Sequence, residues 1–411
     1  MTNSTKPLPL RRSETRRLRR FLCLDDFEEG ARRHLPRPVF GYISAAAEMR
    51  RSQQANRAAY AEYEFVPRVL HDVSQRSAVT SLFGSRHAAP IGLAPLGLSA
   101  LSAYRGDLAM ARAAMRMNVP MIMSGSSLIP LEQVAKECPG TWFQAYLPGD
   151  RDSIAALVDR VARAGFGTMV LTVDTQVPPN SENTVRFGFS TPLRPGIRLA
   201  WEGITHPRWL FGTFLKTLWR HGMPHFENNY ATRGAPILSA SVLRDFSDRG
   251  HLDWSHFAAI RKQWQGRLII KGILSPRDAL LARDAGADGI IVSNHGGRQL
   301  DGAIAPLRAL PAIVAACPGL PVMLDGGVRR GTDVLTALAL GASMVFVGRP
   351  FGYAAAVGGE AGVRHAIHLL MTEVTRNMAM LGITRLDELE LGMNVVRNAG
   401  FGASRSVGGP L

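Results

Sequence analysis

The chain has 411 residues with 46% hydrophobic content, enough for one large α/β barrel or two or three smaller domains. No apolar run reaches the roughly 18 to 20 residues that a membrane-spanning helix needs. Of the 48 basic residues behind a formal net charge of +15, only five are lysines (Lys6, Lys136, Lys216, Lys262, Lys271). An arginine-heavy balance accompanies a GC-rich genome as readily as an anionic partner. Without zinc-finger spacing, an RNP-type motif or basic-aromatic repeats, it does not indicate a nucleic-acid binder. The three cysteines (Cys23, Cys138, Cys317) stand far apart without a CxxC, so neither a disulfide framework nor a metal site is expected, and a reducing cytoplasm suits them.

Residues 1–22 read as a flexible basic arm. Arg19-Arg20-Phe21-Leu22 has the look of a twin-arginine export signal, but Asp25, Asp26, Glu28 and Glu29 occupy the place of its apolar region, and export is not expected. From Asp25 to about Tyr60 helical spacing dominates, with Asp25 as capping residue, a break at Leu35-Pro36 and then an Ala-rich helix. This is an N-terminal helical segment that forms a lid before a main domain of 23–390; 391–411 reads as a tail.

A regular alternation follows. Apolar runs bounded by Gly, Pro or Asp occur at Ile91–Pro95, Met121–Ser124, Trp142–Tyr146, Met169–Asp174, Leu268–Lys271, Gly289–Asn294, Val322–Asp325 and Met344–Gly348. Helical patterns lie between most of them: Asp107–Met117, Leu131–Glu137, Arg151–Ala164, Pro276–Ala285, Ala305–Ala316 and Thr332–Leu340. Eight buried strands alternating with helices predict a parallel (β/α)8 TIM barrel, although strand number alone leaves a doubly wound sheet open. One insertion, 176–254, is too long for an ordinary loop. Within it, 208–221 has helical spacing. Leu210, Phe211, Phe214, Leu215, Leu218 and Trp219 fall on one half of the wheel; Thr213, Lys216, Thr217 and Arg220 fall on the other. Such a helix lies in a lipid headgroup layer or packs against protein.

Polar residues collect at the strand C-termini, the face on which barrels carry their active sites. In order these are Gly97, Ser124, Gln144 with Tyr146, Thr172 with Asp174, Lys271, His295 with Arg298, Asp325-Gly-Gly and Gly348-Arg349. The last two, Gly-rich and followed by arginine (Arg329, Arg349), suit a phosphate. Lys271, closing a buried run, needs an anion: it can form a Schiff base, bind phosphate or neutralise a reduced flavin. His295 with Arg298 three residues on combines a proton acceptor with a carboxylate clamp, and Asp174 can orient the imidazole.

Ser293-Asn-His-Gly-Gly-Arg-Gln-Leu-Asp301 resembles the signature of the FMN-dependent α-hydroxy-acid dehydrogenase/oxidase family. Trp142-Phe-Gln-Ala-Tyr146, Leu171-Thr-Val-Asp-Thr175, Lys271-Gly272, Asp325-Gly-Gly-Val-Arg329 and Gly341 through Pro350 are similar in the same order, across Asp26 to Gly382. The resemblance implies His295 as base, Asp174 as its stabiliser, and Arg298 on the substrate carboxylate with Tyr42 and Tyr146 in support. It implies Lys271 beside the flavin, and Ser124, Gln144, Thr172 and the Pro95–Gly97 backbone along its ring. Asp325 is then expected on the ribityl chain, and Gly327, Arg329, Gly348 and Arg349 on the phosphate. The implied reaction is oxidation of an L-2-hydroxy acid, best L-lactate to pyruvate. Electrons pass to a quinone or, in the oxidase alternative, to oxygen with release of peroxide. Thr205-His-Pro-Arg-Trp209 and Gly222-Met-Pro-His225 are similar to the loop of membrane-associated members, so contact through 208–221 on the inner face of the cell membrane is expected, as is a homotetramer. Two departures stand out: Ser181 replaces an arginine that most members have before Glu182, and Ser124-Gly-Ser-Ser127 lacks the aromatic some oxidases place there. A different phosphate-binding barrel, such as an FMN isomerase or nucleotide dehydrogenase, is the reading from another class.

Overall fold

The computed structural model describes residues 16–239 and 249–398, so the expectations for 1–15, 240–248 and 399–411 lie outside the described residues. Three short strands precede the barrel: β1 (Tyr63–Phe65) and the hairpin of β2 (Thr80–Leu82) and β3 (Ser85–His87). The barrel strands are β4 (Ile91–Leu93), β5 (Ile122–Ser124), β6 (Trp142–Ala145), β7 (Thr168–Thr172), β8 (Arg267–Ile273), β9 (Gly289–Val292), β10 (Val322–Asp325) and β11 (Met344–Val347). They pair in parallel in the order β4-β11-β10-β9-β8-β7-β6-β5, and a single bridge between Leu93 and Met121 closes the circle. This is the expected TIM barrel. Each run found in the sequence is one of these strands. The exception in detail is β8, which does not close at Lys271 but continues to Ile273 through a register shift.

Strand side chains alternate inward and outward, and both faces are buried. The inward set includes Ile122, Trp142, Val170, Ile269, Ile291, Met323 and Phe346, a core separate from that between strands and helices. Leu82 and Phe83 of the hairpin plug its lower end, Phe83 lying 5.9 Å from the Trp142 ring. The polar residues are therefore confined to the opposite mouth. Helices Gly106–Met117, Leu131–Glu137, Arg151–Arg163, Pro276–Asp284, Pro306–Ala316 and Gly331–Ala339 cover the outside, within a residue or two of the sequence pattern.

The flanks differ from expectation. Asp25 does not cap the helix Asp26–His34; its carboxylate pairs with Arg57 and Arg329, while Asp26 accepts from the Leu22 and Cys23 amides. The basic arm is anchored at its end, because Leu18 and Phe21 are buried and Phe21 stacks on Phe27. The Ala-rich stretch is not one helix. Arg37–Ser44 and Arg51–Ala58 are separate, since Arg298 and Arg349 draw the carbonyl of Ala45 into hydrogen bonds that a helix would need for itself. At the other end, β12 (Val395–Arg397) pairs antiparallel with β1, so the segment read as a tail is folded as far as 398.

The described residues of the insertion are docked on the barrel. Asn228 accepts from the Leu131 amide and donates to the Ile129 carbonyl, and the Trp209 indole donates to the Leu101 carbonyl. Its helical part runs from Pro207 to His221 through one π turn at Leu210–Phe214. The expected apolar face is split, for Leu210 and Phe214 pack against the core and Phe214 stacks on Trp209. Trp209 and Thr213 are buried, whereas Phe211, Leu215 and Trp219, four residues apart, are exposed, Trp219 to 83%. The preceding helix Ile197–Thr205 also exposes Ile197, Trp201 and Ile204.

Candidate active site

Ser293, Asn294 and Asp301 of the segment 293–301 each have a structural task. Ser293 Oγ accepts from Lys271 Nζ at 2.9 Å and from the His295 amide at 3.0 Å. Asn294 and Asn56 exchange a reciprocal pair of amide hydrogen bonds, both 2.7 Å, deep under the site. Asp301 accepts from the Met49 and Ser52 amides and so serves the start of helix Arg51–Ala58. That helix leans on Gly297 so closely that a Cβ there would sit 2.5 Å from the Gln53 nitrogen, at a φ of +74°. A side chain at 297 would push the N-terminal lid away from the barrel.

His295 itself has φ +57°, a conformation that costs a non-glycine residue on the order of 1 kcal/mol and is kept where surroundings enforce it. The result is a precise aim. Nδ1 lies 2.9 Å from Asp174 Oδ1 and Nε2 lies 3.3 Å from the Tyr146 hydroxyl. With Nδ1–H donating to Asp174, Nε2 keeps its lone pair toward the cleft. Burial pushes the Asp174 carboxyl upward, but charge and hydrogen bonding from His295, helped by Lys271, outweigh it and hold the value below the ordinary 3.8. Asp174 has its place because residue 272 is glycine. At φ +108°, a Cβ on Gly272 would meet the Asp174 Cβ at 2.7 Å and its Cγ at 2.8 Å.

Twelve of the sixteen residues expected in the site line one cleft: Tyr42, Pro95, Gly97, Tyr146, Lys271, His295, Arg298, Asp325, Gly327, Arg329, Gly348 and Arg349. Ser124, Gln144, Thr172 and Asp174 stand at the neighbouring strand ends, the first three buried. Lys271 Nζ pairs with Asp325 Oδ2 at 3.1 Å, so the buried lysine has an anion within the barrel. The Ser124 hydroxyl donates to Gln144 Oε1 at 3.2 Å. Gln144 Nε2 and Thr172 Oγ1 are buried and make no hydrogen bond among the described residues. Each such group costs about 1–3 kcal/mol unless a ligand satisfies it. A planar heteroaromatic ring with carbonyl and nitrogen edges would do so beside Lys271, and the residues present therefore fit a flavin.

The arginines are more committed than the sequence suggested. Arg298 Nη1 donates to the carbonyls of Tyr42, Ile43 and Ala45, and its guanidinium lies 5.1 Å over the Tyr42 ring. The rest of its fork remains for the cleft. Arg349 Nη2 donates to Ala45 and Gly296 carbonyls, and Nε to Ile43. Burial, then the nearby Arg298, brings Arg349 down to about 9, a strain that an anion would relieve. Arg329 is 3.1 Å from Asp25, which a phosphate would have to displace or share.

Sequence reasoning passed over Ser293 and Asp301, whose places in the motif gave no sign of their partners, and Asn56 in the lid, which pairs with Asn294. It also passed over Arg249. This buried arginine of the insertion lines a second compartment of the cleft, together with Tyr42, Tyr146, Ser181, His295 and Arg298.

A barrel with these residues at its C-terminal mouth is an oxidoreductase scaffold acting on CH–OH groups with FMN as cofactor. The chain matches the FMN-dependent dehydrogenase family over residues 31–396 and belongs to it. It is 41% identical over 367 residues to an L-lactate dehydrogenase of Caulobacter vibrioides, covering 87% of this chain and 93% of that one. To the (S)-mandelate dehydrogenase of Pseudomonas putida it is 34% identical over 367 residues, covering 89% and 92%. A solved structure of the monotopic membrane protein (S)-mandelate dehydrogenase superposes with a TM-score of 0.83 at 33% identity, covering 92% of this chain and all of that one.

Proposed function

We propose that this enzyme oxidises a small L-2-hydroxy acid, L-lactate to pyruvate in the first place, and passes the electrons to a quinone while resting on the inner face of the cell membrane. The observation that carries the chemistry is the His295–Asp174 pair facing the cleft with Tyr146 and Arg298 beside it. FMN, when bound, accepts the two electrons that leave the substrate carbon.

The protein's part is binding, orientation and proton handling. His295 Nε2 takes the proton, and Asp174 stabilises the imidazolium that results. Arg298 holds the substrate carboxylate, with the Tyr42 and Tyr146 hydroxyls in support. Lys271 sets a cation at the centre of the mouth. Ser124, Gln144, Thr172 and the Pro95–Gly97 backbone receive the ring, and Asp325 the ribityl chain. Gly327, Arg329, Gly348 and Arg349 receive the phosphate.

L-lactate is favoured by the lactate dehydrogenase relatives and by small side chains in the wall, where Gly97 and Ser126 lie close together. Membrane contact is favoured by the exposed Phe211, Leu215 and Trp219 and by the monotopic neighbour; among the described residues no helix is long and apolar enough to cross a bilayer. A homotetramer remains an expectation of the family resemblance.

The experiment is anaerobic: add L-lactate to the purified yellow protein and follow the flavin absorbance. Bleaching by the L but not the D isomer is expected. A flavin reduced only by bulky aromatic hydroxy acids would move the substrate away from lactate, and rapid aerobic turnover with stoichiometric peroxide would replace the quinone with oxygen.

A further inference from the structure

We infer that Arg249, on the insertion, is a substrate-binding residue: it supplies the second cation, after Arg298, that holds the carboxylate of the 2-hydroxy acid. This rests on the reading of the cleft as a hydroxy-acid site. Arg249 is 6% exposed, an unusual position for an arginine on a long connecting segment. Its guanidinium carbon lies 5.7 Å from the centre of the Tyr146 ring, and the hydroxyl of that ring is 3.3 Å from His295 Nε2. One aromatic ring therefore separates this cation from the proton acceptor. The same compartment is walled by Tyr42, Ser181, His295 and Arg298. Ser181 contributes no charge to it, and the guanidiniums that line it are those of Arg249 and Arg298.

The energetics agree. Burial lowers the Arg249 pKa from its ordinary value, and Tyr230 and Tyr146 only partly restore it. A carboxylate entering this compartment meets a guanidinium in low-dielectric surroundings, where their attraction is strong. Two guanidiniums converging on one carboxylate also fix its orientation, and with it the carbon that must face the cofactor. Because Arg249 comes from the insertion, the same segment that carries the exposed Trp219 stripe also completes the substrate site.

The alternative role is a brace, in which Arg249 stacks on Tyr146 only to hold the insertion against the barrel. The holoenzyme distinguishes the two. Oxalate is the probe, since its binding does not depend on which hydroxy acid is the substrate, and its dissociation constant is read from the perturbed flavin spectrum. Arg249→Met is expected to weaken oxalate at least tenfold and to raise KM more than it lowers kcat. Arg249→Lys should recover part of the loss, and adding Ser181→Arg to Arg249→Met should recover more, because position 181 faces the same compartment. A lower melting temperature with unchanged oxalate binding would identify a brace and overturn the inference. If Arg249→Met does not fold, Arg249→Lys decides: weaker oxalate binding supports the inference and unchanged binding defeats it. Failure of every L-2-hydroxy acid to reduce the wild-type flavin would instead defeat the functional reading, and the oxalate measurement would still stand by itself.

Discussion

His295 Nδ1 and Asp174 Oδ1 are 2.9 Å apart, joined over the end of β8 from the loops that follow β9 and β7. The bond fixes which imidazole nitrogen is free, and the carboxylate is held ionised below the ordinary 3.8 by that same histidine and by Lys271, against the upward push of burial. Asp174→Asn keeps the shape but removes the charge, so the imidazolium loses its stabiliser. Hydroxy-acid oxidation should fall about 10²- to 10⁴-fold with KM little changed, as general-base losses do. The pH dependence has a definite sign. The folded pKa of Asp174 is depressed, so its contribution to stability is present above the ordinary carboxylate range and is lost only as pH falls through the folded value. Melting curves of Asp174→Asn and wild type should therefore converge in acid; divergence there would contradict the assigned ionisation.

Gly272→Ala is the indirect counterpart. The new methyl would lie 2.7 Å from the Asp174 Cβ, in a backbone conformation that alanine also resists. Asp174 must move or β8 must distort at its register shift. A loss of about 1–3 kcal/mol in stability is expected from the backbone alone. Turnover should fall toward that of Asp174→Asn. Normal turnover in a merely less stable protein would show that Asp174 tolerates displacement.

These two residues show where sequence reading succeeds and where it stops. The strands were legible because each is a short run buried on both faces, and Asp174, Lys271 and His295 were legible because charged groups at the ends of such runs have few structural reasons to be there. Gly272 was visible only as part of a motif; its reason is the position of a carboxylate some hundred residues earlier. The split at Ala45–Ala47 was hidden for the same reason. Alanines prefer helix, and only the arrival of Arg298 and Arg349 at the Ala45 carbonyl overrides that preference. Arg249 gave no signal because nothing in the insertion's local pattern places it against Tyr146.

Lys271 and Asp325 form a buried ion pair at 3.1 Å. Lys271→Met would leave Asp325 buried without its cation, which typically costs about 3–5 kcal/mol. Stability and flavin content of the purified protein should both drop. Adding Asp325→Asn removes the stranded charge, so the double variant should regain stability without regaining flavin. Full flavin occupancy in the double variant would mean that neither charge is needed for the cofactor.

Asp107 is a buried carboxyl outside the reaction machinery, at the start of helix Gly106–Met117. Neither oxygen makes a full hydrogen bond among the described residues, and burial pushes it up to about 6 against a weak pull from the Ser99 and Ser127 hydroxyls. Because the folded value exceeds the unfolded one, the fold binds the proton more tightly, and stability falls as pH rises between about 4 and 6. Asp107→Asn mimics the protonated form. It should stabilise the protein above pH 6 by an amount on the order of 2–3 kcal/mol, with the gain fading toward pH 4. Thermal melts at pH 4.5 and 8 test this directly: an equal effect at both would assign the change to packing instead of ionisation.

The outward stripe of Phe211, Leu215 and Trp219 stands in water at a cost. Large apolar side chains left in water cost roughly 1.5–3 kcal/mol each relative to burial, and Trp209 on the same stretch shows that the sequence can bury its aromatics when the barrel needs them. If lipid covers the stripe, replacing Phe211, Leu215 and Trp219 together by serine should lower partition into anionic lipid vesicles by at least tenfold. The protein should become easier to extract. L-lactate oxidation with a soluble artificial acceptor should persist, since none of the three residues lines the cleft. Turnover with a membrane quinone should fall in proportion to the lost binding. Vesicle binding that survives the triple replacement would shift the contact elsewhere, first to Ile197, Trp201 and Ile204 on the preceding helix.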